Sequence, residues 1–176
     1  MHRILRTSVN SLLAALLGFS LMAPSTLGAQ TKKPSDSPDQ KEYSAYVLTM
    51  DKIHRLADAT KELKEWQEKN PQAAKEMDEN QAGDAASLSE QAKLFDSKFP
   101  AGSAILKKHG FATREYLLAL YAYIQSVTIV SMKKSGQLSD PSKVEGVVNS
   151  ANLALVEKNW DEIQKLNDSF NGGSDK

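Results

Sequence analysis

The chain of 176 residues carries 22 lysine and arginine residues against 22 aspartate and glutamate residues, and it contains no cysteine. The missing cysteine excludes disulfides, thiol catalysis and iron–sulfur clusters, so folding must depend on the hydrophobic core. The balanced charge, with only four arginines, excludes a concentrated basic surface, and we therefore expect no nucleic-acid partner.

Residues 1–29 have the pattern of a secretory signal peptide. Arg3 and Arg6 make the first positions positive, an apolar stretch over residues 12–23 follows, and small residues lead to Ala29. We expect cleavage between Ala29 and Gln30. The apolar stretch is shorter than the ~20 residues that span a bilayer, which favours a cleaved signal over an anchor. Because no cysteine follows it, we expect a periplasmic or secreted protein that is not a lipoprotein.

The remaining sequence predicts a single all-α domain, a helical bundle over residues 42–170. Residues 30–41 are polar and contain two prolines, so they are expected to be a flexible linker, and residues 171–176 a disordered tail. Apolar periodicity predicts long helices at about 43–69, 113–134 and 143–169, with short helices between the first two. The last helix could continue through Asn159 or restart there.

The helix predicted over residues 113–134 is expected to be central in the bundle. Residues 116–132 carry no charge, and their apolar side chains lie on all sides, as in a buried helix or a membrane span. Four polar residues interrupt this run, and Thr113 is expected to cap the helix. We therefore expect a buried helix and no membrane span in the mature chain.

One side of this central helix provides the candidate ligand-binding residues. They are Arg114, Tyr121, Gln125 and Thr128. Together these side chains could orient a small polar ligand beside the helix. The alternative is that the tyrosines are core residues whose hydroxyl groups reach the edge of the bundle.

Patterns for metal binding and catalysis are incomplete. Asp51 and His54, with Asp58 one turn further, have the spacing of a bundle metal site, but a second such pair is missing from the sequence. Ser131 and Lys134 match a Ser-x-x-Lys motif whose companion motifs are absent. We expect no metal, no cofactor and no catalytic residue.

Two short sequence segments resemble those of a known group of proteins. Tyr46-Val-Leu-Thr-Met-Asp51 and Gly110-Phe-Ala-Thr-Arg-Glu-Tyr116 resemble segments of small exported helical proteins of unknown function from Gram-negative bacteria. That group implies no activity or site residue. The Leu-Thr-x-x-Gln signature of exported helical stress chaperones is absent, because Leu48-Thr49 is followed by Met-Asp-Lys.

These observations predict a non-enzymatic binding or interaction protein of the cell envelope, with an unknown protein or small molecule as its partner. A small-ligand carrier with a pocket beside the central helix is one alternative. An enzyme with an unrecognised site is the other. The sequence pattern predicts neither the identity of the partner nor the oligomeric state.

Overall fold

The computed structural model describes residues 38–79, 87–138 and 148–170, which form eight helices. They are α1 (Pro38–Ala45), α2 (Met50–Lys69), α3 (Pro71–Glu79), α4 (Leu88–Lys98), α5 (Pro100–Lys108), α6 (Thr113–Lys134), α7 (Ser150–Lys158) and α8 (Trp160–Phe170). The expected all-α fold is confirmed, since these ranges contain helices and turns and no strand. The expected signal peptide with its cleavage site, residues 30–37 and the tail at 171–176 lie outside the described residues.

The first expected long helix, residues 43–69, is instead two helices. α1 ends at Ala45 and α2 begins at Met50, with Thr49 capping α2 by accepting a hydrogen bond from the Lys52 backbone N–H. α1 begins at Pro38, so the last four residues of the expected 30–41 linker are helical. The division of this helix is a correction to the sequence analysis.

Asn152 of α7 satisfies the backbone at this break. Its Oδ1 accepts a hydrogen bond from the Leu48 backbone N–H at 2.8 Å, and its Nδ2 donates to the Tyr46 carbonyl at 2.8 Å. Asn152 is fully buried, and Leu48 is 4% exposed. Because the partner lies 104 residues further along the chain, local periodicity around Leu48 could not reveal the break.

The single helix expected over residues 143–169 is also two helices. The described part begins at Val148, and α7 ends at Lys158, with Asn159 as its C-cap at φ −109° and ψ 27°. The backbone N–H and the Nδ2 of Asn159 both donate to the Leu155 carbonyl. The Ile163 backbone N–H then donates to the Asn159 carbonyl at 3.0 Å. Of the two possibilities left open by the sequence, the chain restarts at Asn159.

α6 packs against α1, α2, α4, α5 and α7 and is the central helix. Its first half is buried on nearly all sides, whereas Thr128 and Ser131 in its second half are exposed. Thr113 is not the cap that we expected: Ala112 is the cap residue, and the buried Thr113 hydroxyl donates to Oδ1 of Asp96. No helix within the described ranges is long and apolar enough to cross a membrane.

The start, the packing and the end of α5 are fixed by three small or rigid residues. Pro100 occupies the first helical position, where its missing N–H costs nothing. A Cβ at Gly102 would lie 2.8 Å from Cζ of Phe95 and 3.4 Å from Cδ1 of Leu63, so glycine allows α5 to pack closely. Gly110, with φ 79°, ends the helix, and the Phe111 N–H donates back to the Leu106 carbonyl.

Candidate binding cleft between α2 and α5

An open cleft of about 650 Å³ lies between α2 and the segment formed by α5 and its C-terminal cap. α2 contributes Asp58, Lys61, Glu62, Glu65, Trp66 and Lys69. The other wall consists of Ala101, Ile105, Lys108 and His109. We call this the α2–α5 cleft. Its volume lies within the range of small-molecule sites, about 300–1,000 Å³.

The apolar part of the cleft is provided by Trp66 of α2 and Ile105 of α5. Both side chains are partly buried and pack against the hydrophobic core. Gly102, on the same helix as Ile105, lies close to Phe95 of α4 and within van der Waals range of Leu63 of α2. An apolar floor with a charged rim can hold a ligand that has both a hydrophobic part and polar groups.

Three of the residues that line the cleft form a hydrogen-bonded cluster. Lys108 Nζ donates to both carboxylate oxygens of Glu62 at 2.8 Å, and Nε2 of His109 donates to Glu62 Oε2 at 2.8 Å. These hydrogen bonds, from Lys108 first and His109 second, lower the pKa of Glu62 below its ordinary value. His109 also lies at the C-terminus of α5, where the helix dipole favours a positive charge.

The other four charged residues of the cleft are not used by the fold. Asp58, Lys61, Glu65 and Lys69 form no hydrogen bond or ion pair with any residue in the described parts of the chain. All four side chains are exposed. Two positive and two negative groups therefore remain available around the apolar floor.

The candidate residues of α6 lie elsewhere, and none of them lines this cleft. Nε of Arg114 donates to Oγ of Ser89 at 2.9 Å, and the Arg114 guanidinium also donates to both carboxylate oxygens of Glu42. The ring of Tyr121 packs against Tyr43 with 5.1 Å between centroids, and burial raises the pKa of Tyr121. α1, of which only the last three residues fall within an expected helix, thus contacts Arg114 and Tyr121.

The remaining two α6 candidates differ in exposure. Thr128 is exposed, whereas Oε1 of Gln125 is buried and accepts no hydrogen bond from any described residue. A donor from a ligand would satisfy this oxygen. The four candidates all lie on α6 but have different surroundings. Arg114 and Tyr121 contact α1, Gln125 has a buried oxygen, and Thr128 is exposed.

Two of the three residues in the acid and histidine set at the start of α2, Asp51 and His54, have side-chain partners. Asp51 pairs with Arg55 at 3.0 Å, and Nε2 of His54 lies 2.7 Å from Oε1 of Glu162 in α8. Within the described residues no group of three or more histidine, aspartate or glutamate side chains could hold a metal ion. The contact between His54 and Glu162 links α2 to α8.

Comparison with known proteins yields no relative: no family model, curated protein or solved structure matches this chain. The resemblance to exported helical proteins of Gram-negative bacteria therefore stays a prediction.

The sequence analysis considered Asp58 only for a metal site and predicted none of the residues as part of a binding cleft, because each has an ordinary explanation in the sequence. Glu62, Glu65 and Lys69 follow helical spacing on a charged stripe, which is typical of a solvated face. Trp66 is typical of a packing residue. Only the approach of α5 to this stripe distinguishes it from other charged faces, and that approach is a long-range contact.

Proposed function

We propose that the protein is an exported, non-enzymatic binding protein of the cell envelope and that the α2–α5 cleft is its binding surface. The observation that carries the proposal is the cleft itself, with its volume of about 650 Å³, its apolar floor of Trp66 and Ile105, and its charged rim. The volume is that of a small-molecule site, and because seven of the ten lining residues are charged or ionisable, polar groups of the ligand would contribute more here than in a mostly apolar pocket.

Export is supported by the amino-terminal sequence. Arg3 and Arg6 precede a short apolar stretch, and small residues lead to Ala29. This is the order of features that secretion machineries process. A chain without cysteine needs no oxidative folding after export, because its stability depends on the core alone.

Binding without catalysis is supported by the chemistry of the cleft. Among the described residues that line it there is no serine, threonine or tyrosine, so a hydroxyl nucleophile is missing. His109 is held by Glu62, and Glu62 is held by Lys108. Because no described hydroxyl lines the cleft beside His109, this histidine has no hydroxyl nucleophile to activate there.

The proposal is tested by purifying the protein from the envelope fraction of cells that express the full chain. Its first residue should be Gln30, within one or two positions, and native mass spectrometry should detect a retained molecule. Ala101→Trp, which fills the cleft, should abolish retention, while Ala104→Trp, an exposed α5 position outside the cleft lining, should not. Intact Met1 in the cytosol, or retention unaffected by Ala101→Trp, would contradict the proposal.

A small-ligand carrier that binds beside α6 is the second candidate. The observation that favours it is the buried Oε1 of Gln125, which lacks a donor among the described residues. A ligand bound there should be lost in Gln125→Met and kept in Ala101→Trp. The same mass spectra therefore distinguish the two candidates.

A further inference from the structure

The charges around the α2–α5 cleft define a class of ligand. We infer that the cleft binds a small aromatic zwitterion, a molecule in which one ring is joined to an ammonium group and a neighbouring carboxylate. This inference rests on the proposed function, because it names the ligand of the same surface. It depends on three side chains within one turn of α2: Glu65, Trp66 and Lys69.

Glu65 and Lys69 are opposite charges one helical turn apart. A glutamate four residues before a lysine is the favourable order for an ion pair on a helix. In this structure the two side chains form no such pair, and neither has another partner among the described residues. Both charges line the same cleft, so one α-amino acid could place its ammonium against Glu65 and its carboxylate against Lys69.

Trp66 gives the site its preference for a ring. Its side chain is partly buried beside Ile105 and lines the cleft next to Glu65 and Lys69. Aromatic rings pack against an indole in stacked or edge-to-face geometry, and an ammonium group is attracted to the indole face. If the aromatic ring of the ligand packs on Trp66, its charged groups can reach the charged side chains at the edge of the cleft.

The remaining charges disfavour ligands of one sign. The cleft has three lysines against two glutamates and one aspartate, so a polyanion or a polycation would meet repulsion as well as attraction. Lys108 and His109 are already held by Glu62. Asp58 and Lys61 are a second set of opposite charges without a partner among the described residues, which again fits a ligand that carries both charges.

Intrinsic fluorescence provides a direct test. The chain has two tryptophans, so Trp160→Phe leaves Trp66 as the only reporter. Protein purified from cells that express the full chain is titrated with L-phenylalanine, phenylalanine amide and N-acetylphenylalanine. These probes share the ring but are a zwitterion, a cation and an anion. The zwitterion should bind tighter than either derivative by roughly fivefold, the value of one partly exposed charge contact.

Single substitutions test which charged group of the ligand each residue contacts. Glu65→Gln should remove most of the preference for phenylalanine over N-acetylphenylalanine, and Lys69→Gln the preference over phenylalanine amide. Glu68→Gln on α2 and Lys107→Gln on α5 are matched controls, since both residues are exposed and neither lines the cleft. The controls should leave all three affinities unchanged.

Three outcomes would overturn the inference. They are no fluorescence change at millimolar phenylalanine, equal affinity for the three probes, or equal effects of the cleft and control variants. Failure here is distinguishable from failure of the proposed function. A retained molecule that Ala101→Trp removes would keep the binding role while phenylalanine fails, and cytosolic protein would refute export whatever phenylalanine does.

Discussion

On the inner face of α2, Ile53 and Leu56 are fully buried, and the one buried hydroxyl, that of Thr60, is hydrogen bonded twice. On the outer face of the same helix, Glu65 and Lys69 are exposed, and no described residue pairs with them. The two faces share one backbone and differ only in which side chains they present.

The difference separates stability from recognition within a single helix. Removing apolar surface from water contributes about 25 cal/mol per Å², whereas an exposed ion pair contributes roughly 0–1 kcal/mol. The inner face therefore holds the fold, and the outer charges can be exchanged with little cost to it. Substitutions on the two faces should consequently have effects of very different size.

The largest effect is expected for Leu56→Ala. Leu56 is fully buried, so truncation removes apolar burial and leaves a cavity, at a cost of about 2–5 kcal/mol. Lys61→Ala, on the outer face, should change the free energy of unfolding by less than ~0.5 kcal/mol. Urea unfolding measures both. Similar losses in the two variants would show that the faces do not differ in this way.

The next effect concerns the buried hydrogen bond between Thr60 and Tyr116. The Thr60 hydroxyl donates to the Leu56 carbonyl at 2.8 Å, so the Tyr116 hydroxyl must donate to Thr60 Oγ1, 2.9 Å away. Thr60→Val keeps the volume but leaves Tyr116 without an acceptor, which should cost about 1–3 kcal/mol. A double-mutant cycle with Tyr116→Phe isolates the pair. Additive losses would mean that the hydrogen bond contributes nothing.

The sequence predicts the two faces of α2 only where they depend on contacts between residues that are close together in the chain. The apolar stripe at helical spacing includes Ile53, Leu56 and Leu63, which are buried in α2, but the same spacing also includes Tyr46 and Thr49, which precede the helix. The break before α2 depends on Asn152, which lies far along the chain.

The candidate site was harder to predict than the helices. The run of seventeen uncharged residues placed the candidate ligand-binding residues on α6. In the structure α1 contacts two of them, Arg114 and Tyr121. The α2–α5 cleft forms only where α5 packs beside α2. A Cβ at Gly102 of α5 would crowd Phe95 of α4 and would reach only ordinary contact distance from Leu63 of α2. A glycine in a short helix carries no such information by itself.

A smaller effect is expected at alkaline pH. Burial raises the pKa of Tyr116 to about 12 from an ordinary value of 10.0. Because the folded pKa is raised, its contribution to stability is fully present below pH 10 and is lost as the pH rises towards 12. By about pH 11 the loss should be roughly 1 kcal/mol. Urea unfolding of Tyr116→Phe should depend less steeply on pH than the wild type; parallel curves would refute the assignment.

The smallest effect belongs to the outer face, at Glu62. Hydrogen bonds from Lys108 and His109 lower its pKa, so its contribution to stability is present above its ordinary pKa of 4.5 and is lost as the pH falls through the lowered value. Glu62→Gln should therefore flatten the acid decline of the unfolding free energy, and Glu68→Gln should follow the wild type. Identical acid curves for all three proteins would show that the cluster does not hold the carboxylate in solution. If Glu62→Gln instead destabilised the protein as much as Leu56→Ala, the outer face would contribute to stability as the core does. Its charged side chains would then be needed for folding and would not be available to bind a ligand.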